Sequence, residues 1–135
     1  MPKRALAVAL VLLLAYPAAG RAATGGVVFQ ISTTTAGTWK VAVRNVRNLE
    51  AAGTRGRDIE MVVLGPAIRI LLRSSPVARN LAALHASGVV IEACKTSVRR
   101  AGLKTGAILP FVRYIRSGIA EVVRRQREGW AYVRP

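Results

Sequence analysis

The sequence predicts a three-layer α/β/α domain on a mostly parallel five-stranded sheet, and three observations predict it. Short apolar runs rich in β-branched residues recur along the chain, most clearly at residues 27–32, 59–64 and 89–93. Between them lie segments whose apolar residues fall three and four apart, bounded by glycine or proline. The first three runs are almost continuously apolar. Strands covered on both faces have that character, and strands alternating with helices pair in parallel.

The first strand, residues 27–32, ends in a polar loop from Thr33 to Thr38. Beyond it Trp39, Ala42, Val43, Val46 and Leu49 recur at helical spacing, with Lys40, Arg44, Arg47 and Asn48 between them and Gly53 as the stop. Asp58 opens the second strand, residues 59–64, and Gly65-Pro66 ends it. Pro66 suits the first turn of a helix bearing Ile68, Leu71 and Leu72. Ser75-Pro76 reads as another helix opening, a capping residue followed by proline. Val77, Leu81, Leu84 and His85 share one side of that helix, and Gly88 follows it. The third strand, residues 89–93, leads to Cys94, and residues 95–101 allow two turns of helix at most. Residues 111–115 make a fourth strand. Ser117-Gly118 opens a last helix with Ile119, Val122, Val123 and Gln126 on one face and Arg124, Arg125 and Arg127 on the other. After Gly129, residues 130–133 make a short fifth strand.

The chain opens with the basic Met1-Pro2-Lys3-Arg4, continues in an apolar run to Tyr16, and then supplies small residues through Ala23. That is the layout of a cleavable secretory signal peptide over residues 1–23, with an apolar part too short for a membrane span. An uncleaved anchor is the alternative. No cysteine follows the run to take a lipid. Residues 24–135 then form a single domain, enough for one core and too few for two, in the periplasm or outside the cell. The chain has 21 basic residues, and only Lys3, Arg4 and Arg21 precede residue 24, so the domain keeps 18 against all six acids, a net charge of +12. Such a charge attracts anions and acidic partners. Export and a 5% aromatic content, too sparse for a stacking platform, argue against nucleic acid.

In an open parallel sheet the functional crevice lies beyond the carboxyl ends of the strands. Four polar junctions fall there: Thr33 to Gly37, Gly65-Pro66, Cys94-Lys95-Thr96 and Ser117-Gly118. Cys94 is the one strong nucleophile among them. Thr34, Gly65, Lys95, Thr96, Ser117 and Gly118 are the candidate residues for holding an anionic substrate at helix N-termini. A helix start and the cations Lys95, Arg99 and Arg100 favour thiolate over thiol. As the only cysteine, Cys94 makes no disulfide within the chain. It is a reactive thiol, a buried inert side chain, or one that pairs between chains.

Other chemistries lack their residues. Asp58, the acid a triad would need, starts its strand and lies at the opposite edge from Cys94. One histidine and one cysteine do not complete a zinc site within one chain. Gly102-Leu103-Lys104-Thr105 lacks the glycine spacing of a phosphate loop, and no G-x-G-x-x-G follows a strand. No metal or cofactor is expected. His85 reads as a dipole-compensating or core histidine, Trp39 as a core anchor, and Arg124, Arg125 and Arg127 as a solvated face. Trp130 is a candidate subunit contact. Glu92, an acid in an apolar strand on the same face as Cys94, needs a partner, and an arginine of another subunit is one candidate.

Several stretches in order resemble the DsrE/DsrF-like proteins. They are Val27-Val28-Phe29-Gln30-Ile31-Ser32, Trp39 with Asn45 and Asn48, and Val63-Leu64-Gly65-Pro66-Ala67-Ile68. They continue with Gly88-Val89 through Ala93-Cys94, Ser117-Gly118-Ile119-Ala120-Glu121 and Gln126-Arg127-Glu128-Gly129-Trp130-Ala131-Tyr132. The resemblance implies a three-layer α/β fold, homo-oligomers that are commonly trimers or hexamers, and a cysteine that carries sulfane sulfur as a persulfide. Cys94 matches the family's cysteine in its strand-to-helix setting. Many relatives have a histidine where this chain has Leu64, so a base is absent there. The function expected is an exported carrier or sulfurtransferase-like protein working through Cys94, with an anionic sulfur compound as donor and a partner thiol protein or enzyme that removes the outer sulfur. A non-catalytic oligomeric binding protein with a buried cysteine and a basic surface is the alternative, and a thiol redox sensor is the third reading.

Overall fold

The computed structural model describes residues 25–135, so the signal peptide expected at residues 1–23 lies outside the described residues. Five strands form one sheet: β1 (Val27–Ile31), β2 (Ile59–Val63), β3 (Val90–Cys94), β4 (Arg113–Ile115) and β5 (Ala131–Val133). Their order is β4-β3-β2-β1-β5, and every neighbouring pair is parallel. Four helices accompany them: α1 (Ala36–Ala51), α2 (Ala78–Ala86), α3 (Lys95–Arg100) and α4 (Gly118–Arg127). The sheet expected to be mostly parallel is wholly so. No helix among the described residues is long and apolar enough to cross a membrane.

The strand order dictates the layers. From β1 to β4 each crossover steps the same way along the sheet, and right-handed connections place α1, α2 and α3 on one face. The last crossover returns from β4 to β5 beyond β1, so the same handedness puts α4 on the other face. There it packs across β1, β2, β3 and β5. The two faces differ in chemistry. Phe29, Ile31, Met61, Val63, Ile91 and Ala93 turn toward α1 and α2 and make the main apolar core. The alternate positions turn toward α4, where Val28 and Val62 meet Val122 in a smaller cluster and Glu60, Glu92 and Cys94 share the face.

Local chemistry moved several expected boundaries. The helix expected to start at Trp39 begins at Ala36, because the Thr35 hydroxyl accepts the Thr38 N–H at 3.4 Å and caps it. The helix expected after Pro66 is a 3-10 segment, Gly65–Leu71. Its buried residues pair at three-residue spacing, Ala67 with Ile70 and Ile68 with Leu71, which suits a three-residue turn better than an α-helical stripe. Ser75-Pro76 does not open α2. The Ser75 hydroxyl accepts the Val77 N–H at 3.3 Å in a local turn, and the helix starts at Ala78. β4 begins two residues later than expected because Val112 N–H is taken by Leu109 in a turn. His85 is exposed rather than on the core side, stacked on Phe111 with ring centroids 4.6 Å apart. Trp39 is a core anchor, its indole N–H donating to the Thr33 carbonyl at 2.7 Å.

α4 departs most from its sequence pattern. The face it lays on the sheet is Gly118, Glu121, Val122 and Arg125, at positions i, i+3, i+4 and i+7. Ile119 and Val123, expected to be buried beside Val122, are 55% and 38% exposed. Apolar periodicity alone selected the wrong stripe.

Candidate functional site

β3 delivers Cys94 to the carboxyl edge of the sheet, where the free thiol is buried at 6% exposure. Burial pushes its pKa up, but the Ser97 hydroxyl and the N–H groups of Gly118, Ser97 and Thr96 outweigh it and hold the thiol below the ordinary cysteine range. α3 turns immediately after Cys94, which brings its first amides back toward the sulfur. α4 contributes the Gly118 amide from the opposite side. Only glycine fits there closely, since a Cβ at Gly118 would lie 3.0 Å from Leu64 Cβ and 3.3 Å from Cys94 Cβ. The Ser97 oxygen in turn accepts the Gly65 N–H at 2.7 Å, tying the turn after β2 to the thiol.

On the other side of Ser97 a cleft of about 410 Å³ opens between the segments that follow β1, β2 and β3. Thr34, Gly65, Pro66, Arg69, Ser97, Arg100 and Ala101 line it. Of the residues singled out from the sequence, Thr34 and Gly65 border this cleft, while Thr96 and Gly118 surround the thiol. Ser117 caps α4 by accepting the Ala120 N–H at 3.4 Å. Lys95 belongs to neither group. It borders a separate hollow with Val98, Arg99, Leu103, Thr105 and Tyr114 at the β4 edge. The largest influences that lower the Cys94 pKa are the Ser97 hydroxyl and the N–H groups of Gly118, Ser97 and Thr96, ahead of the cations Lys95, Arg99 and Arg100 named from the sequence. Sequence reading missed Ser97, the residue shared by thiol and cleft, and Arg69, and it named Arg100 only as a cation near the thiol, not as a wall of the cleft. A signal for Ser97 was its place three residues after Cys94, one helical turn on.

Beneath the thiol on the same face lies a buried carboxyl cluster. One carboxylate oxygen each of Glu60, Glu92 and Glu121 lies within 4.8 Å of the others. Arg125 enters it, with Nη2 2.5 Å from Glu60 Oε2 and Nε 3.2 Å from Glu121 Oε1, and its guanidinium stacks 4.2 Å over the Trp130 ring. The expected solvated arginine face is therefore broken at Arg125. Trp130, the candidate subunit contact, is half-buried and stacks against Arg125. Glu92 faces Glu60 and Glu121 of its own chain, and its Oε2 has no hydrogen-bond partner among the described residues. Three carboxyls are a donor set that divalent cations accept, but here Arg125 meets Glu60 and Glu121 while Arg124 pairs with Glu121, so guanidiniums supply the positive charge. Burial first, then the negative field of Glu60 and Glu121, pushes the Glu92 pKa up to about 7. Burial likewise raises the Glu60 pKa against the pull of Arg125. Glu92 is therefore partly protonated near neutral pH.

This geometry defines a class: a doubly covered parallel α/β domain that presents a buried, strand-end thiol of lowered pKa beside a cationic cleft. The sequence profile of the DsrE/DsrF-like family matches residues 26–135, and the chain belongs to that family, which is associated in general with sulfur relay. Among solved structures it is similar to the MTH1491 protein of unknown function from Methanobacterium thermoautotrophicum. That match has a TM-score of 0.76 and 34% identity, covering 82% of this chain and 99% of the other. The ychN protein from E. coli shares the fold at TM-score 0.70 and 17% identity, over 82% of this chain and 99% of its own. The BT1422 protein of unknown function from Bacteroides thetaiotaomicron shares it at 0.65 and 16%, over 85% and 98%. Among curated proteins none matches the chain.

Two outcomes follow from the site. Ser97→Ala removes a hydroxyl that favours the thiolate, so the pH midpoint of Cys94 alkylation rises and the rate below that midpoint falls; iodoacetamide kinetics against pH measure both. Glu92 has a folded pKa raised to about 7, above its unfolded value. The folded state therefore binds the extra proton, and stability present at low pH is lost as pH rises through about 7. Glu92→Gln has no such proton to lose, so its denaturation midpoint declines less over that window. Urea unfolding from pH 5 to pH 8 checks the slope.

Proposed function

We propose that this chain is an exported sulfur carrier in which Cys94 takes up sulfane sulfur as a persulfide and passes it on. The observation that carries the reading is the thiol's setting at the carboxyl edge. Despite burial, a hydroxyl and three backbone N–H groups hold its pKa down. An inert core cysteine has no need of such donors. In uptake, the Cys94 thiolate attacks the outer sulfur of a donor. A new S–S bond forms, the donor's own bond to that sulfur breaks, and the leaving group departs with the electron pair. In release, a partner thiolate attacks the outer sulfur and Cys94 leaves as thiolate. Neither step needs an outside oxidant or reductant.

Export rests on the layout of residues 1–23, a basic start, an apolar run and small residues at the end. Assembly into homo-oligomers, trimers or hexamers by resemblance, is supported by the exposed apolar stripe of Ile119 and Val123 on α4. One observation favours the rival reading of a non-catalytic binding protein, namely that only 6% of Cys94 is exposed.

Intact mass after treatment with thiosulfate or polysulfide separates the two readings. The wild-type chain gains one sulfur atom that dithiothreitol removes, and Cys94→Ser gains none. A thiol that resists both sulfur donors and iodoacetamide until the protein is denatured overturns the carrier reading. The same spectra, taken on protein recovered from the periplasm, show loss of the first 23 residues if the leader is cleaved. Sedimentation velocity is expected to show an oligomer that Ile119→Asp with Val123→Asp converts to monomer, while a wild-type monomer would overturn the assembly.

A further inference from the structure

The cleft beside Ser97 has features that thiol chemistry alone does not require. Two guanidinium groups flank it, Arg69 from the 3-10 segment after β2 and Arg100 from the end of α3. Both side chains are exposed, and neither forms an ion pair with a carboxylate among the described residues. None of the six acids of the chain lines the cleft. Two unpaired guanidiniums at one cavity match the geometry of a carboxylate, sulfonate or phosphate, because each presents a planar fork of N–H donors. Thr34 adds a hydroxyl, while Pro66 and Ala101 give the wall an apolar part. A volume of about 410 Å³ falls in the range of small-molecule sites, roughly 300–1,000 Å³. Ser97 forms the wall shared with Cys94, so a ligand seated on the arginines lies one side chain from the sulfur.

We propose that Arg69 and Arg100 form an oxyanion-binding site that holds the charged end of the small-molecule sulfur donor, so that the chain selects anionic donors over neutral ones. The assignment of the ligand as a donor rests on the sulfur-carrier reading; the oxyanion site itself does not. The recognised chemistry is an oxyanion group. It comes either from an inorganic sulfur oxoanion such as thiosulfate or from the carboxylate of a low-molecular-weight organic persulfide.

The test is calorimetry on the full chain carrying Cys94→Ser, which binds without transferring sulfur. Sodium thiosulfate and sodium sulfate probe the inorganic source. N-acetylcysteine, compared with its neutral amide, probes the organic one. At least one of these oxyanions is expected to bind, and the source is the one that does. In the Cys94→Ser background, Arg69→Gln with Arg100→Gln should weaken that binding on the order of 10- to 100-fold. Arg44→Gln with Arg79→Gln removes the same charge elsewhere and should change it less than about threefold. Equal losses in the two double variants, or no binding of any probe, overturn the proposal. Sulfur loading of the Cys94-containing protein separates the two readings. Loading whose concentration dependence is indifferent to Arg69 and Arg100 overturns the assignment of the bound oxyanion as donor and leaves the carrier standing. Oxyanion binding that depends on the arginines in a protein that never loads sulfur overturns the carrier and leaves the site.

Discussion

Arg125 lies with one nitrogen 2.5 Å from Glu60, another 3.2 Å from Glu121, and its guanidinium plane over Trp130, and the placement of α4 depends on these contacts. Among the described residues α4 is the only helix on its face of the sheet, and it buries little apolar surface there, chiefly Val122. A buried ion pair adds little net stability over apolar packing, but it tolerates few alternative positions, because shifting the helix would strand charges without water or partner. Two turns before Arg125 on the same stripe is Gly118, whose amide reaches the Cys94 sulfur. A rise of about 1.5 Å per residue makes that an offset of roughly 10 Å. The seat of one arginine thus fixes where a hydrogen-bond donor meets the thiol.

The same seat shapes the electrostatics of the whole chain. Four of the six acids, Glu60, Glu92, Glu121 and Glu128, gather around Arg124 and Arg125. Most of the remaining surface is left with cations and few counter-charges. Long-range attraction of anions follows from that imbalance, while local selection belongs to Arg69 and Arg100 at the cleft. The thiolate draws chiefly on nearer groups. Its largest stabilising donors are a hydroxyl and backbone N–H groups, whose positions are set by α3 and α4.

The linkage between turn and thiol runs through a single hydroxyl. Ser97 takes the Gly65 amide, which sits at positive φ (59°) where the chain turns out of β2, and favours the thiolate of Cys94. Cleft and thiol are therefore coupled through covalent neighbours of α3, with no metal or cofactor required for the contact. This arrangement also explains why two groups of residues, proposed from the sequence as one anion site, separate into two: amides around the sulfur and guanidiniums one wall away.

The sequence by itself determined the fold class, the chain order of the five strands, and the delivery of Cys94 to a strand-to-helix edge. These features follow from local periodicity and from the placement of glycine, proline and β-branched residues, which act within a few residues of chain. It also marked Glu92 as an acid in need of partners. Only the tertiary structure decided which stripe of α4 meets the sheet, that Arg125 is drawn inward, and that Glu60 and Glu121 surround Glu92. Periodicity favours Ile119 and Val123 for burial, and it does not register that the facing strands offer carboxyls. Arg69, Ser97 and Arg100 come together from two separate segments, and no local pattern records such a meeting. Long-range pairing of charge and the return crossover of α4 settled what the one-dimensional pattern left open.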